Sequence, residues 1–122
     1  MATRNPTVTF VGNDTIVFSY GGMLNGDDGA PISPNHSNYA DRSVEVFGTF
    51  GVGGSVTVEG APDPGSTYAA LRNASSVTLA ITAAGHEQIL EVPAFTRPRV
   101  TAGDGTTSLT VVITCRKRFI IL

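Results

Sequence analysis

The sequence predicts an all-β protein, a single antiparallel β-sandwich of jelly-roll type. Its 122 residues suit one ordinary domain, and 14 Gly and 7 Pro interrupt the chain too often for a clean amphipathic helix. Apolar residues instead recur at every second position, the spacing of strands that bury one face. About seven to nine short strands separated by turn residues are typical of a sandwich or small barrel.

The chain is predicted to open with a hairpin. The runs Thr7 to Val11 and Thr15 to Tyr20 are rich in β-branched and aromatic residues, which favour strands. Gly12, Asn13 and Asp14 separate the two runs and favour a tight turn.

Two further strands are predicted near the middle of the chain. Between Val44 and Phe50, and again between Val56 and Glu59, one face carries valines and the other carries mostly polar residues. The connecting segment Gly51 to Gly54 (GVGG) is short and rich in glycine. Such a connection predicts a second hairpin.

The strongest predicted strand runs from Leu109 to Cys115, where Leu, Val, Ile and Cys occupy alternate positions. A similar alternation predicts a strand from Val77 to Thr82. Weaker strands are predicted around Thr67 to Leu71, Gln88 to Val92 and Pro98 to Thr101.

The segment Gly21 to Asp41 has no clear period and is dense in Gly, Asn, Asp and Pro. A loop of this length inside a compact domain is usually functional, disordered or held by a partner. Asp27 and Asp28 are adjacent rather than alternating, so an EF-hand calcium loop is disfavoured. We therefore predict a long loop at 21–41 that is either a solvated arm or an arm lying on a neighbouring subunit.

Composition argues against several classes of protein. Charged residues make up 15% of the chain and its net charge is −2, so no overall positive field attracts nucleic acid phosphates. The single cysteine, Cys115, excludes an intrachain disulfide framework and a cysteine-based zinc cluster. No apolar run is long enough to cross a bilayer, and the N-terminal residues lack the apolar core of a signal peptide. We expect a chain made in a cytoplasm, with no nucleic acid and no membrane among its partners.

Few residues could carry catalysis. Cys115 lies on the apolar face of a predicted strand, so it is expected to be a core residue rather than the partner of His86 in a nucleophilic pair. Glu45 and Glu59 are predicted on the polar faces of adjacent strands, where they could approach each other like the carboxylates of a glycosidase. Such an enzyme normally has a cleft with aromatic walls, and the chain has no Trp and 3 Tyr. We therefore predict no catalytic residue, no metal site and no cofactor.

The charges are distributed unevenly along the chain. Residues 96–122 contain five basic residues and one acid, Asp104, whereas the rest of the chain has an excess of acids. Most of the basic residues are arginines, which suit bidentate contacts in interfaces; solvated strand ends are the alternative interpretation. The apolar tail that follows, Phe119 to Leu122, either completes the core as a final strand or inserts into a partner. The candidate partner-contact residues are Arg97, Arg99, Arg116, Lys117, Arg118, Phe119, Ile120, Ile121 and Leu122.

Several segments together resemble a known group of proteins. They are Phe47 to Leu71 (FGTFGVGGSVTVEGAPDPGSTYAAL), Ala83 to Glu91 (AAGHEQILE), Arg97 to Thr101 (RPRVT) and Gly103 to Val111 (GDGTTSLTV). In this order they resemble small virion structural proteins encoded among phage head genes, which look like capsid decoration, or cement, proteins. The likeness covers residues 39–116, and RPRVT and GDGTT are its most distinctive pieces.

The resemblance implies a virion protein on the capsid exterior that stabilises the assembled shell by bridging major capsid subunits. The partners it implies are the major capsid protein and further copies of this chain, as a dimer or trimer. The alternatives are a head fibre or tail component of the virion, and a carbohydrate-binding β-sandwich module. All fit a single domain over residues 1–122, with its long loop at 21–41 and its apolar tail at 119–122.

Overall fold

The computed structural model describes residues 2–33 and 38–117, which form two five-stranded β-sheets. No helix occurs among these residues. The all-β class and the sandwich predicted from the sequence are confirmed. The ten strands are β1 (Thr3–Arg4), β2 (Thr7–Val11), β3 (Thr15–Met23), β4 (Asp28–Gly29), β5 (Asp41–Thr49), β6 (Ser55–Ala61), β7 (Ala69–Ala70), β8 (Gly85–Ile89), β9 (Phe95–Ala102) and β10 (Ser108–Arg116).

The strands β3 to β10 follow the connectivity of a jelly roll. Sheet I has the order β2-β3-β10-β5-β8, and sheet II has the order β1-β4-β9-β6-β7. From β3 onward the chain changes sheet at every connection except the one from β6 to β7, which interleaves the two sheets along the sequence. Every strand pair is antiparallel except β1 with β4.

The core lies between the two sheets, where the period of two places apolar side chains. In β10 every second residue from Leu109 to Cys115 is buried, and β3, β5 and β9 alternate in the same way. Cys115 is therefore a core residue, as predicted. The apolar side chains with no exposed surface are Ile16, Tyr20, Met23, Val44, Val46, Val56, Val58, Val100, Val111, Ile113 and Cys115.

The predicted N-terminal hairpin is confirmed, since β2 and β3 pair continuously from Thr7–Ser19 to Val11–Thr15. The three weaker strands correspond to β7, β8 and β9, although β8 begins earlier in the chain than predicted and β9 is longer.

The glycine-rich segment Gly51 to Gly54 is not a hairpin turn, so that prediction is wrong. Strand β5 pairs with β8 and β10 in sheet I, whereas β6 pairs with β7 and β9 in sheet II. The segment therefore carries the chain from one sheet to the other. At Gly51 the φ angle is +71°, and a side chain there would collide with the carboxylate of Asp104. The chain does turn tightly here, but the two flanking strands, β5 and β6, pair with different neighbours.

The segment Val77 to Thr82 is not a strand, although its alternation predicts one. Leu79 and Ile81 are buried, whereas Val77 is exposed. Isolated bridges attach the segment at Thr78 and Ile81. The alternation in this segment therefore indicates which side chains are buried. It does not show that the backbone forms a continuous hydrogen-bonded ladder.

Much of the predicted long loop at 21–41 belongs to the sandwich itself. Strand β3 continues to Met23, β4 lies within the segment, and Ile32 forms a bridge to Thr96 of β9. Met23 and Ile32 are buried in the core. Residues 21–33 are therefore neither a solvated arm nor an arm on a neighbour, and residues 34–37 lie outside the described part of the chain.

Asp27 fastens this segment to the N-terminus. Its buried carboxylate accepts hydrogen bonds from the backbone N–H groups of Leu24 and Ala2, both at 2.9 Å, and from Arg4 Nε at 2.8 Å. Burial opposes ionisation, but these hydrogen bonds outweigh it and lower the pKa of Asp27. The Asp27 carboxylate is thus hydrogen-bonded by three donors of the protein itself.

Candidate interaction surfaces

Four of the predicted contact residues lie in the described part of the chain, and they belong to or follow strands of two different sheets. Arg97 and Arg99 lie in β9 of sheet II and point away from the core, because the residues that alternate with them are buried. Arg116 ends β10 in sheet I, and Lys117 follows it. The four cations therefore do not form one basic patch.

Arg97 is held by contacts within the chain. Its Nε donates a hydrogen bond to Glu59 Oε1 at 2.7 Å, and its Nη1 lies 3.3 Å from Asp28 Oδ2. The guanidinium carbon lies 3.7 Å from the centroid of the Tyr68 ring, a cation–π geometry. Side chains from β4, β6, β9 and the segment before β7 thus form one cluster, which we call the Arg97 cluster. Because Arg97 is only 21% exposed and faces two carboxylates, little of its charge remains to attract a partner.

Tyr68 closes the Arg97 cluster. Burial raises the pKa of Tyr68, although the charge of Arg97 opposes this shift, so the phenol is neutral at physiological pH. Its hydroxyl oxygen is buried and has no hydrogen-bond partner among the described residues.

Arg99, the next outward residue of β9, makes no ion pair with another described residue. On this face Arg99 is therefore the better candidate for a contact with a partner.

The residues around the end of β10 form a second surface, at one end of the sandwich. Arg116 is exposed and lies opposite Asp41 of β5 in the strand register. Both line a shallow depression of about 190 Å³. Lys117 lies 5.2 Å from the centroid of the Tyr39 ring, and its backbone N–H donates to the carbonyl oxygen of Asp14 at 2.8 Å. This end of the sandwich thus carries two cations, Arg116 and Lys117, together with the carboxylate of Asp41.

The remaining candidates, Arg118 and the tail from Phe119 to Leu122, lie outside the described residues. The structure shows only where the chain leaves β10. Because Lys117 is bonded to Asp14, this point lies beside the turn between β2 and β3.

Glu45 and Glu59 do not approach each other, so the carboxylate pair that the sequence left open does not form. Glu45 lies on the outer face of sheet I, where its Oε2 is 3.3 Å from Nε2 of His86. Glu59 lies in the Arg97 cluster on the outer face of sheet II. The core separates the two carboxylates, because β5 and β6 belong to different sheets.

Cys115 and His86 are also on opposite sides of a sheet. His86 is exposed on the outer face of sheet I, whereas Cys115 is buried in the core. Burial raises the pKa of the Cys115 thiol to about 11, although Arg42 opposes this shift. The thiolate that a nucleophile requires is therefore disfavoured.

An apolar groove of about 530 Å³ lies at the β7 edge of sheet II. Alanine and proline side chains and Leu71 form most of it. The carboxylate of Glu91 on its wall accepts hydrogen bonds from Nε and from the backbone N–H of Arg72. The groove therefore offers an apolar surface with little uncompensated charge.

Two features of these surfaces were not predicted. One is the Arg97 cluster, because Asp28 and Arg97 are far apart in the sequence and only the pairing of β4 with β9 brings them together. The other is the exposure of β2, whose residues are exposed throughout. Its composition is that of an ordinary half-buried strand, so local sequence carries no signal of its position at a sheet edge.

Within residues 2–33 and 38–117, no group of three or more His, Cys, Asp or Glu side chains is arranged to hold a metal ion. The same residues include no helix that is long and apolar enough to cross a membrane. No protein-family model, curated protein or solved structure matches the chain.

Proposed function

We propose that this chain is a structural protein of a phage virion, which binds the outer face of the assembled capsid and stabilises it as a cement protein. The proposal begins from the resemblance of four segments to capsid decoration proteins. The observation that carries it further is that three of these segments are neighbours in space. Strand β6, which contains SVTVEG, pairs directly with the RPRVT strand β9, from Val56–Val100 to Glu59–Arg97.

The GDGTT segment joins the same region. Asp104 accepts hydrogen bonds from the Oγ1 and backbone N–H of Thr106, at 2.6 and 2.8 Å, and from the backbone N–H of Val52 at 2.8 Å. These bonds lower the pKa of Asp104 to about 2, with the Thr106 hydroxyl as the largest cause. Thr107 Oγ1 in turn donates to the carbonyl oxygen of Phe50 at 2.8 Å. Three of the four segments, Phe47 to Leu71, Arg97 to Thr101 and Gly103 to Val111, thus form one connected part of the sandwich.

The arrangement of the free cations suits a bridging protein. A protein that joins two capsid subunits needs two contact surfaces, and Arg99 and Arg116 lie on the outer faces of different sheets. Jelly rolls occur both in viral capsid proteins and in lectin domains, so the fold alone does not distinguish between these functions. A protein that binds only the assembled lattice stabilises it by mass action, just as a ligand stabilises a folded state.

The proposal is tested by sedimenting the purified chain with assembled capsids of its phage and with unassembled capsid protein. We expect binding to the assembled capsids only, and a higher temperature of capsid disruption when the chain is bound. Failure to bind capsids, or equal binding to the unassembled subunits, would contradict a cement function.

Charge reversal identifies the faces that make contact. Arg99→Glu alters the outer face of sheet II and Arg116→Glu alters that of sheet I, so the two variants test the two faces separately. If one copy bridges two subunits, both variants should weaken binding, more strongly at low salt because exposed charges are screened as ionic strength rises. His86→Ala, on the outer face of β8, should bind normally. Normal binding by both arginine variants would remove these two surfaces from the proposal.

A further inference from the structure

Among residues 2–33 and 38–117, no strand pairs with the outer edge of β2. Strand β2 ends sheet I, all five of its residues are exposed, and it pairs with β3 on one side only among the described strands. Soluble proteins usually protect such edges with charged residues, proline or a β-bulge. The sequence TVTFV has none of these residues, and its pairing with β3 shows no register shift.

Two large apolar side chains are exposed along this edge. Val8 and Phe10 lie opposite Phe18 and Ile16 of β3, so they belong to the core-facing side of sheet I. Phe18 and Ile16 are buried, yet Val8 is 44% exposed and Phe10 is 63% exposed. Within the described part of the chain, sheet II therefore leaves these two side chains largely uncovered.

The other strand edges differ from β2. Strand β8, at the opposite edge of sheet I, carries His86 and Glu87. The edge strands of sheet II, β1 and β7, are two residues long. Among the described strands, β2 is thus the edge that combines length, apolar side chains and lack of charge.

We propose that β2 pairs with β2 of a second copy, antiparallel, about a two-fold axis at Thr9. In this register Thr9 faces Thr9 of the second copy, Val8 faces its Phe10, and Thr7 faces its Val11. Aromatic residues opposite β-branched ones, and threonines opposite each other, are pairs that stabilise antiparallel sheets.

The strand is self-complementary in this register. A twofold interface uses the same patch on both copies, so each Val8–Phe10 pair forms twice. Any other antiparallel register that keeps the two faces matched leaves part of the five-residue strand unpaired. No charged residue occurs from Asn5 to Asn13, so no like charges oppose each other across the axis.

The proposed contact between the two β2 strands is small, so we expect weak association. Five residues from each copy bury much less surface than a standard interface between proteins. We expect a monomer in dilute solution and a dimer at high concentration, with ten strands in one continuous sheet. This inference concerns the chain alone in solution, so it stands or fails independently of the proposed capsid function.

The first test is sedimentation equilibrium of the full chain from low micromolar to millimolar concentration. We expect reversible dimerisation, and a loss of at least tenfold in the association constant for Phe10→Lys. Val52→Lys and Val77→Lys are matched controls, since they place the same charge at exposed valines far from β2 in the sequence. Circular dichroism verifies that each variant is folded. A monomer at all concentrations, or equal association of Phe10→Lys and the parent chain, would overturn the proposal.

The second test is disulfide trapping, which reports the register. Under oxidised glutathione, Thr9→Cys should form covalent dimers, because directly opposed residues lie within the Cα separation of a disulfide. The native Cys115 is buried and contributes little background. Thr7→Cys alone should not form dimers, since the two copies of this residue would lie roughly 13 Å apart along the strands. A mixture of Thr7→Cys and Val11→Cys should form the mixed dimer. Equal trapping of Thr7→Cys and Thr9→Cys, or none of Thr9→Cys, would contradict this register.

Deletion of Phe119 to Leu122 separates the pairing of β2 from a cover supplied by the C-terminal tail. The chain leaves β10 beside the turn between β2 and β3, so the tail is the alternative occupant to test. An association constant within tenfold of the parent supports pairing through β2. A larger gain would mean that the tail covers β2 in the parent chain, and a larger loss would mean that the tail forms the contact. Either result would overturn the proposal.

Discussion

Arg42 and Thr96 join the two sheets through the core, because Nη1 of Arg42 donates a hydrogen bond to Thr96 Oγ1 at 2.9 Å. Arg42 is 3% exposed and Thr96 is fully buried. Arg42 belongs to β5 of sheet I and Thr96 to β9 of sheet II. Arg42 Nε also donates to the carbonyl oxygen of Tyr39 at 2.9 Å. A buried cation thus fixes one end of the sandwich, and burial lowers the pKa of Arg42.

Thr96→Val is expected to lower the free energy of unfolding by about 1–3 kcal/mol, because valine keeps the shape of threonine but removes an acceptor from a buried charged donor. Denaturant unfolding followed by circular dichroism measures the change. Thr101→Val is the matched control, because it removes an exposed hydrogen bond, from Thr101 Oγ1 to the carbonyl oxygen of Ser55 at 3.2 Å, and should change stability by about 0.5 kcal/mol. Equal losses in the two variants would show that the bond between the sheets contributes little.

Asp27→Asn is expected to destabilise the protein at neutral pH and to make little difference in acid. The pKa of Asp27 is lowered in the folded state, so its carboxylate adds stability above the ordinary aspartate pKa of about 3.9. That contribution is lost as the pH falls through the lowered folded pKa. Thermal unfolding of both proteins across this range should therefore give melting temperatures that converge at low pH.

The control for the acid experiment is Asp63→Asn, which removes a carboxylate from an exposed turn. Asp63 accepts hydrogen bonds from the backbone N–H of Gly65 and the hydroxyl of Ser66. We expect a smaller loss at neutral pH than for Asp27→Asn. A constant difference between Asp27→Asn and the parent at every pH would contradict the role assigned to the Asp27 carboxylate.

Gly48→Ala is expected to lower stability by about 1–3 kcal/mol, the usual range for a residue forced into a disfavoured backbone conformation. Gly48 has φ +122°, and a Cβ there would lie 2.6 Å from the carbonyl oxygen of Ser108 in β10. At Gly21 a Cβ would meet no atom within 4 Å, so Gly21→Ala is the matched control. Thermal unfolding compares the two, and a loss at Gly21 as large as at Gly48 would contradict the explanation.

Cys115 is expected to resist alkylation in the folded protein and to react fully in denaturant. Burial raises the pKa of its thiol to about 11, and the thiolate is the reactive form. Mass spectrometry after treatment with iodoacetamide counts the added groups. Labelling of the native protein as fast as the unfolded one would show that the end of β10 opens readily.

The all-β class, the hairpin of β2 and β3 and the burial of Cys115 followed from the sequence alone, because each depends on neighbouring residues. Alternation in a run such as Leu109 to Cys115 determines which side chains share a face. The turn residues Gly12 to Asp14 determine where the chain reverses. These local preferences hold whichever strand becomes the neighbour.

Only the tertiary structure decided which strands pair, and this pairing determines which side chains come together on each surface. The same GVGG turn suits a hairpin or a crossing between sheets, and the choice depends on the distant strands β9 and β10. That choice placed Glu45 and Glu59 on opposite sides of the core, and the pairing of β4 with β9 brought Asp28 to Arg97. The pairing also left Phe10 exposed at a sheet edge. The sequence does not reveal this exposure, because a central strand and an edge strand show the same period of two. Burial and charge compensation depend on contacts between residues remote in sequence, which local patterns do not encode.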